Sequence, residues 1–246
     1  MSCIKGNKMQ RQQEKECFER VKKLAKDKND TRLLSFLYKA TANSESSLFP
    51  DFLFDGGFIE HFQVSATNEN KKGSKHNIAV NDFERESKTT FEQERNEFLQ
   101  SPPRKNPVIG TYDMKVVKRE MTCPEYSYEN FVKSFKRNFE KHIKSLQKYK
   151  GDKSIGIFLI ELVGANITIM RNNCFRAFYR LAVDQELLTY INQYTEHLKF
   201  IIFASADSYE ILELNEIPKL LDNLPHGLTF GVGRFINEKL CLFIDI

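Results

Sequence analysis

Apolar positions along this chain switch between a helical and a strand period. Over residues 10–29, Cys17, Phe18, Val21 and Leu24 recur at helical spacing. Asn29-Asp30-Thr31 is a stop-and-restart signal, and Leu33, Leu34, Leu37 and Tyr38 mark a second short helix. From Pro50 to Val64 the pattern changes. Two runs rich in Phe, Ile and Val flank Gly56-Gly57, a two-residue hairpin signal. Residues 67–127 are different again. Thr67 to Gln100 is polar and charge-dense, with scattered Ile78, Val80, Phe83, Phe91 and Phe98. Pro102, Pro103 and Pro107 then break any helix. This stretch predicts a polar insertion with a helix near 82–99.

Strong periodicity returns at Pro124–Lys150. Tyr128, Phe131, Val132, Phe135, Phe139, Ile143 and Leu146 make one apolar stripe. Lys133, Lys136, Arg137, Lys141, Lys144 and Lys148 lie opposite it; Ser127 or Pro124 marks the start and Gly151 the end. The continuous apolar run Ile155–Leu162 predicts a strand buried on both faces. A helix near 176–196, a strand at Phe200–Ala204, a short helix at Ile217–Leu221, and strands at Thr229–Val232 and Leu240–Ile246 complete the expectation. The order predicts an α/β fold: one domain over 1–246, a mixed sheet with helices on both sides, and 67–127 as a polar helical and loop insertion.

Composition narrows the classes. Twenty-one Phe and no Trp supply ample aromatic core, and the net charge of +4 permits an anionic partner without demanding one. No run of 18 apolar residues occurs, so no membrane span is expected. The N-terminus is too rich in Lys, Arg and Glu for a secretory signal. The cysteines at 3, 17, 123, 174 and 241 form no Cys-x-x-Cys pair, which argues against a disulfide framework or zinc site and for a reducing cytoplasm.

The hairpin carries the candidate chemistry. With Gly56-Gly57 as the loop, Asp55 faces Phe58, Leu53 faces Glu60 and Asp51 faces Phe62. Asp51, Asp55 and Glu60 then share one face with Leu53, Phe58 and Phe62. Acids among apolar neighbours repel one another unless a cation or proton sits between them, which suggests a hard-metal site. The competing account makes Asp51 a strand-start residue, Asp55 a turn residue, and Glu60 the partner of a distant Lys. Pattern alone leaves both open.

These residues resemble the PD-(D/E)XK nuclease superfamily, the restriction-endonuclease-like fold. Pro50-Asp51 matches the Pro-Asp that opens one strand, and Glu60 matches the second acid on the next. The Lys133-rich helix and the Ile155–Leu162 strand match the elements that follow. The resemblance covers roughly residues 10–66 and 128–162. It implies a Mg²⁺- or Mn²⁺-dependent endonuclease hydrolysing DNA, of restriction type, with Asp51 and Glu60 as metal ligands and Asp55 as auxiliary acid. The Lys expected two residues after Glu60 is replaced by Phe62. Lys72 is the candidate to take its role, with Lys71 and Lys75 beside it for nucleic acid; all three also suit a solvated turn.

Phosphodiester hydrolysis needs an activated water and an offset for phosphate charge, both within reach of carboxylate-held Mg²⁺ and a lysine. Lys133, Lys136, Arg137, Lys141 and Lys144 are candidates to track DNA phosphates, or are the ordinary solvated face of an amphipathic helix. His61, between aromatic residues, reads as a satisfied core histidine. Glu161, ending a buried strand, reads as a strand cap with a supporting role at the site as the lesser alternative. The alternative function is a non-catalytic nucleic-acid-binding or interaction protein on the same fold, for which Phe62 argues. A third is an unrelated α/β protein with a structural acidic hairpin. Restriction-like enzymes often dimerise, so a homodimer is an expectation of the resemblance, with no interface legible in the pattern.

Overall fold

The computed structural model describes residues 2–44, 49–67, 74–100, 112–121, 126–172, 174–194, 196 and 198–243. The chain opens with helices α1 (Ser2–Asp27) and α2 (Thr31–Leu37). Asp30 separates them by capping α2, its side chain accepting the Leu33 N–H. Short strands β1 (Thr41–Ala42) and β2 (Phe52–Phe54) lead to the nine-residue β3 (Gly57–Ser65). Helix α3 (Ser74–Gln100), strand β4 (Tyr112–Met121) and helix α4 (Tyr128–Lys148) intervene before β5 (Ile155–Val163). Then come β6 (Asn166–Arg171), β7 (Cys174–Phe178), α5 (Gln185–Ile191), β8 (Phe200–Ala204), β9 (Tyr209–Glu213), α6 (Ile217–Asp222) and β10 (Thr229–Phe243).

The main sheet has the order β1-β2-β3-β5-β8-β9. Strands β1 to β3 are antiparallel, β3, β5 and β8 run parallel, and β9 returns antiparallel. Each face carries its own core. On one side Phe58, Phe62 and Val64 of β3 and Phe158 and Ile160 of β5 meet Phe131, Phe135 and Phe139 of α4. On the other, Ile59, Ile157 and Leu159 meet Cys17, Phe18 and Val21 of α1 and Leu33 and Leu37 of α2. Side-chain alternation sends neighbouring residues of β3 and β5 to opposite cores. Helix α4 spans the region the apolar stripe predicts, its N-terminus capped by Ser127 Oγ accepting the Asn130 N–H at 3.1 Å.

The hairpin register differs from the sequence expectation. Leu53 pairs with Phe58 and Phe54 with Gly57, so the loop is Asp55-Gly56. Gly56 takes the positive φ of 84° the turn requires. Gly57 serves a close approach instead, since a Cβ there would lie 2.2 Å from the Ile155 carbonyl oxygen. Its missing side chain lets β3 and β5 come together.

Other elements also depart from the pattern. The expected helix near 176–196 is strand β7, a 3-10 turn at Leu181–Val183 and then α5, which starts only where Asp184 caps the Leu187 N–H. The two expected C-terminal strands are one continuous β10 as far as Phe243, residues 244–246 of the second lying outside the described residues. Its first part pairs with β6 and its second with β4, giving a second sheet of order β4-β10-β6-β7. The 67–127 stretch therefore supplies a sheet strand, β4, besides α3. Helix α3 is longer than the 82–99 expected. No helix among the described residues is long and apolar enough to cross a membrane.

Candidate functional site

Strand β2 is only three residues long, whereas β3 continues to Ser65. Carrying the Phe52–Ile59 pairing one step further puts Asp51 opposite Glu60. There side chains take over the ladder. Asp51 Oδ2 accepts the His61 N–H at 2.8 Å, and Glu60 Oε2 accepts the Asp51 N–H at 3.1 Å. Asn43 holds the segment from the β1 side: its N–H donates to the Asp51 carbonyl at 2.8 Å and its amide to the Pro50 carbonyl at 2.9 Å.

A third carboxylate joins them from α1. Glu14 is 8% exposed and makes no hydrogen bond or ion pair among the described residues. Its charge reaches both Asp51 and Glu60. Burial, with Glu60 and Glu14 nearby, pushes Asp51 up to about 7. Burial pushes Glu60 up to about 8, against the pull of the Asp51 N–H and with Glu14 adding to the rise. Glu14 and Asp51 line a cavity of about 470 Å³ bounded by α1 and the β1–β2 segment, with Arg11 and Lys15 at its edge.

Helix α4 approaches from the other face. His142 Nδ1 lies 2.6 Å from Glu60 Oε1 and its ring stacks on Phe62, centroids 4.4 Å apart at 11°. Burial, helped by the Lys141 charge, holds His142 down at about 4, so the imidazole is neutral near pH 7. The Lys141 charge also favours ionised Glu60.

Behind β3, on the α1 face, a second polar group is nearly closed on itself. Glu161 accepts from Arg20 Nη2 at 2.5 Å and Gln63 Nε2 at 2.9 Å, and lies 3.1 Å from His61 Nε2. Burial works to raise Glu161, but the hydrogen bonds from His61, Arg20 and Gln63 prevail and hold it down at about 2. An ionised carboxylate only accepts, so His61 Nε2 carries a proton. Burial, then the Glu161 charge, pushes the Cys17 thiol up to about 12. Cys17, His61 and Glu161 offer ligand atoms within 4.8 Å of one another, but Arg20 already supplies the positive charge there. Arg20 Nε is buried in this group without a hydrogen-bond partner among the described residues.

Asp51 and Glu60 are thus brought together as the sequence suggests, by a shorter route than the Gly56-Gly57 loop implied. Asp55 is not at this site. It is exposed in the turn, four residues from Asp51, about 13 Å along an extended strand. Lys71 and Lys72 lie outside the described residues, and Lys75 lies in α3 with its side chain outside them. Lys133, Arg137, Lys141 and Lys144 are exposed on α4, and Lys136 pairs with Glu186 at 2.8 Å. His61 is satisfied, as expected, and Glu161 anchors a network under the site.

Glu14 and His142 were missed. Glu14 had a readable signal: with Cys17, Phe18 and Val21 it occupies i, i+3, i+4 and i+7 of one helix face, an acid on an apolar stripe. His142 sits beside Ile143 at the edge of the α4 stripe, where pattern does not distinguish a buried polar residue from a boundary one.

Carboxylates are the donors a hard divalent cation prefers, although among the described residues the ligand atoms that lie within 4.8 Å of one another are those of Cys17, His61 and Glu161 and not those of this trio. The trio offers three carboxylates, and Glu14 has no hydrogen-bond partner among the described residues. Without a cation, the same crowding demands protons. Family models, curated proteins and solved structures offer no match to this chain.

Proposed function

We propose that this protein is a metal-dependent nuclease that hydrolyses phosphodiester bonds in DNA, an endonuclease of restriction type as its resemblance to the PD-(D/E)XK superfamily implies. The observation that carries this is the gathering of Asp51, Glu60 and Glu14, the last without a partner among the described residues, at the open end of the β2–β3 hairpin. The element order also supports it: α1 and α2, then β1–β2–β3, then α4 and β5 once the inserted α3 and β4 are set aside, with β3 and β5 parallel.

Glu14, Asp51 and Glu60 would hold Mg²⁺ or Mn²⁺, which would supply Lewis-acid polarisation at the scissile phosphate. The chain's own groups do the rest. The Asp51 and Glu60 carboxylates are oriented by the His61 and Asp51 N–H groups, and His142 holds the second oxygen of Glu60. Phe62 occupies the place of the expected Lys, so we assign Lys141 to offset charge building on the phosphate; its field already reaches Glu60 from α4. Lys133, Arg137 and Lys144 on the exposed face of the same helix are assigned to DNA phosphates.

The test is cleavage of plasmid and single-stranded DNA with Mg²⁺ or Mn²⁺. Wild type is expected to cut, and Glu60→Gln to be inert with its circular dichroism unchanged. Undiminished cleavage by Glu60→Gln refutes the assignment. The Phe62–His142 stack, standing where a lysine is expected, favours a second reading as a non-catalytic nucleic-acid-binding protein. That protein would bind DNA in a salt-dependent way and cut nothing.

A further inference from the structure

We infer that the cavity in front of Glu14 and Asp51 is a single-nucleotide subsite, so that the substrate enters as an unpaired nucleotide and not as the backbone of an intact duplex. This rests on the acidic cluster being a cation site. The cavity holds about 470 Å³, within the span of sites that enclose a small molecule, about 300–1,000 Å³.

Its walls differ in chemistry. The floor is Asp51 and Glu14, the latter more than nine-tenths buried and without a partner among the described residues. Arg11 and Lys15 stand at the rim, four residues apart and so on one face of α1. Arg11 also reaches across the mouth, donating to the Asn43 carbonyl at 3.2 Å and the Ser44 carbonyl at 3.5 Å. The rest of the wall is mixed: Ala42, Pro50 and the stacked pair Phe18 and Phe52, centroids 4.4 Å apart, form an apolar part, and Glu19, Asn43 and Ser44 a polar one.

Acids alone would repel a phosphate. With a divalent cation between them and the phosphate, and Arg11 and Lys15 facing its other oxygens, the charges alternate in sign. The apolar wall has no role toward phosphate and matches the face of a base. A duplex keeps its bases stacked inside and presents phosphates on a convex surface. It cannot place a base against Phe18 and Phe52 in a concavity unless the nucleotide is unpaired.

The test measures calorimetric binding of deoxyadenosine monophosphate, inorganic phosphate and deoxyadenosine to the full chain with Mg²⁺ present. Thermal unfolding with and without Mg²⁺ is recorded in parallel. The monophosphate is expected to bind at least about tenfold more tightly than phosphate or the nucleoside, a difference of about 1.4 kcal/mol. Ala42→Trp, which fills the cavity from an exposed edge-strand position, is expected to lose the monophosphate and keep the Mg²⁺ response. Lys15→Ala should weaken monophosphate and phosphate alike. A Mg²⁺ response with the monophosphate no tighter than phosphate, or with Ala42→Trp binding it like wild type, overturns the subsite and leaves the cation site standing. No Mg²⁺ response in the wild type overturns both.

Discussion

Glu60→Gln isolates the electrostatic strain at the acidic cluster, because it removes a charge and almost no volume. In the folded protein Glu60 is held up at about 8 against an ordinary 4.5. At about 1.4 kcal/mol per pH unit, ionising it in place costs about 5 kcal/mol more than in the unfolded chain. The sign follows from linkage. The native state binds this proton more tightly, so the stability it contributes is complete below about pH 4.5 and is lost as pH rises through about 8. Glutamine never ionises and avoids that loss. It also keeps one acceptor oxygen where the carboxylate serves both the Asp51 N–H and His142 Nδ1, which costs about 1–3 kcal/mol. The net expectation at pH 9 without divalent cation is a variant more stable than wild type by roughly 2–4 kcal/mol. In a chain of this length that raises Tm by about 4–16 °C. Below pH 4 the order reverses, since wild-type Glu60 is already protonated. Adding Mg²⁺ should raise wild type at pH 9 and leave the variant nearly unmoved. Differential scanning calorimetry from pH 3 to 9, with and without Mg²⁺, reads all of this. A variant less stable than wild type at pH 9 would refute the claim that burial, with Glu14 nearby, strains the ionised Glu60.

Further outcomes follow from the same geometry. Because Asp51 and Glu60 hold protons up to about 7 and 8, Mg²⁺ binding should expel protons and tighten from pH 6 to 9; calorimetry in buffers of different ionisation enthalpy checks this, and a pH-independent affinity would contradict it. Glu161→Ala strands Arg20, His61 and Gln63 and should destabilise by about 3–5 kcal/mol, seen as a lower urea midpoint. Gly57→Ala drives a methyl to within 2.2 Å of the Ile155 carbonyl, so β3 and β5 must separate. A loss of about 1–3 kcal/mol is expected, and neutrality in urea unfolding would mean the strands are less tightly opposed.

Some of this was written in local pattern. The α4 stripe is legible because a helix buried on one face repeats every three or four residues, and Phe131, Phe135, Phe139 and Leu146 are all fully buried where that period puts them. Ile155–Leu162 is legible because a strand between two cores has no polar face to keep. Pro50-Asp51 and Glu60 are legible because a short hairpin opposes residues close in sequence. Where two assignments agreed with the pattern, only packing chose. The Gly56-Gly57 pair suits a loop, but contact with Ile155 moves Gly57 into the strand, shifts the register by a residue on each side, and leaves Asp55 at the tip. Tyr112–Met121 mixes charge with apolar residues and becomes a strand through pairing with β10. The acid Glu14 stands 37 residues before Asp51 and His142 stands 82 after Glu60. Local periodicity places each on its own helix, but only the tertiary structure brings α1 and α4 to the end of one hairpin, because burial of two separate cores decides which helix covers which face of the sheet.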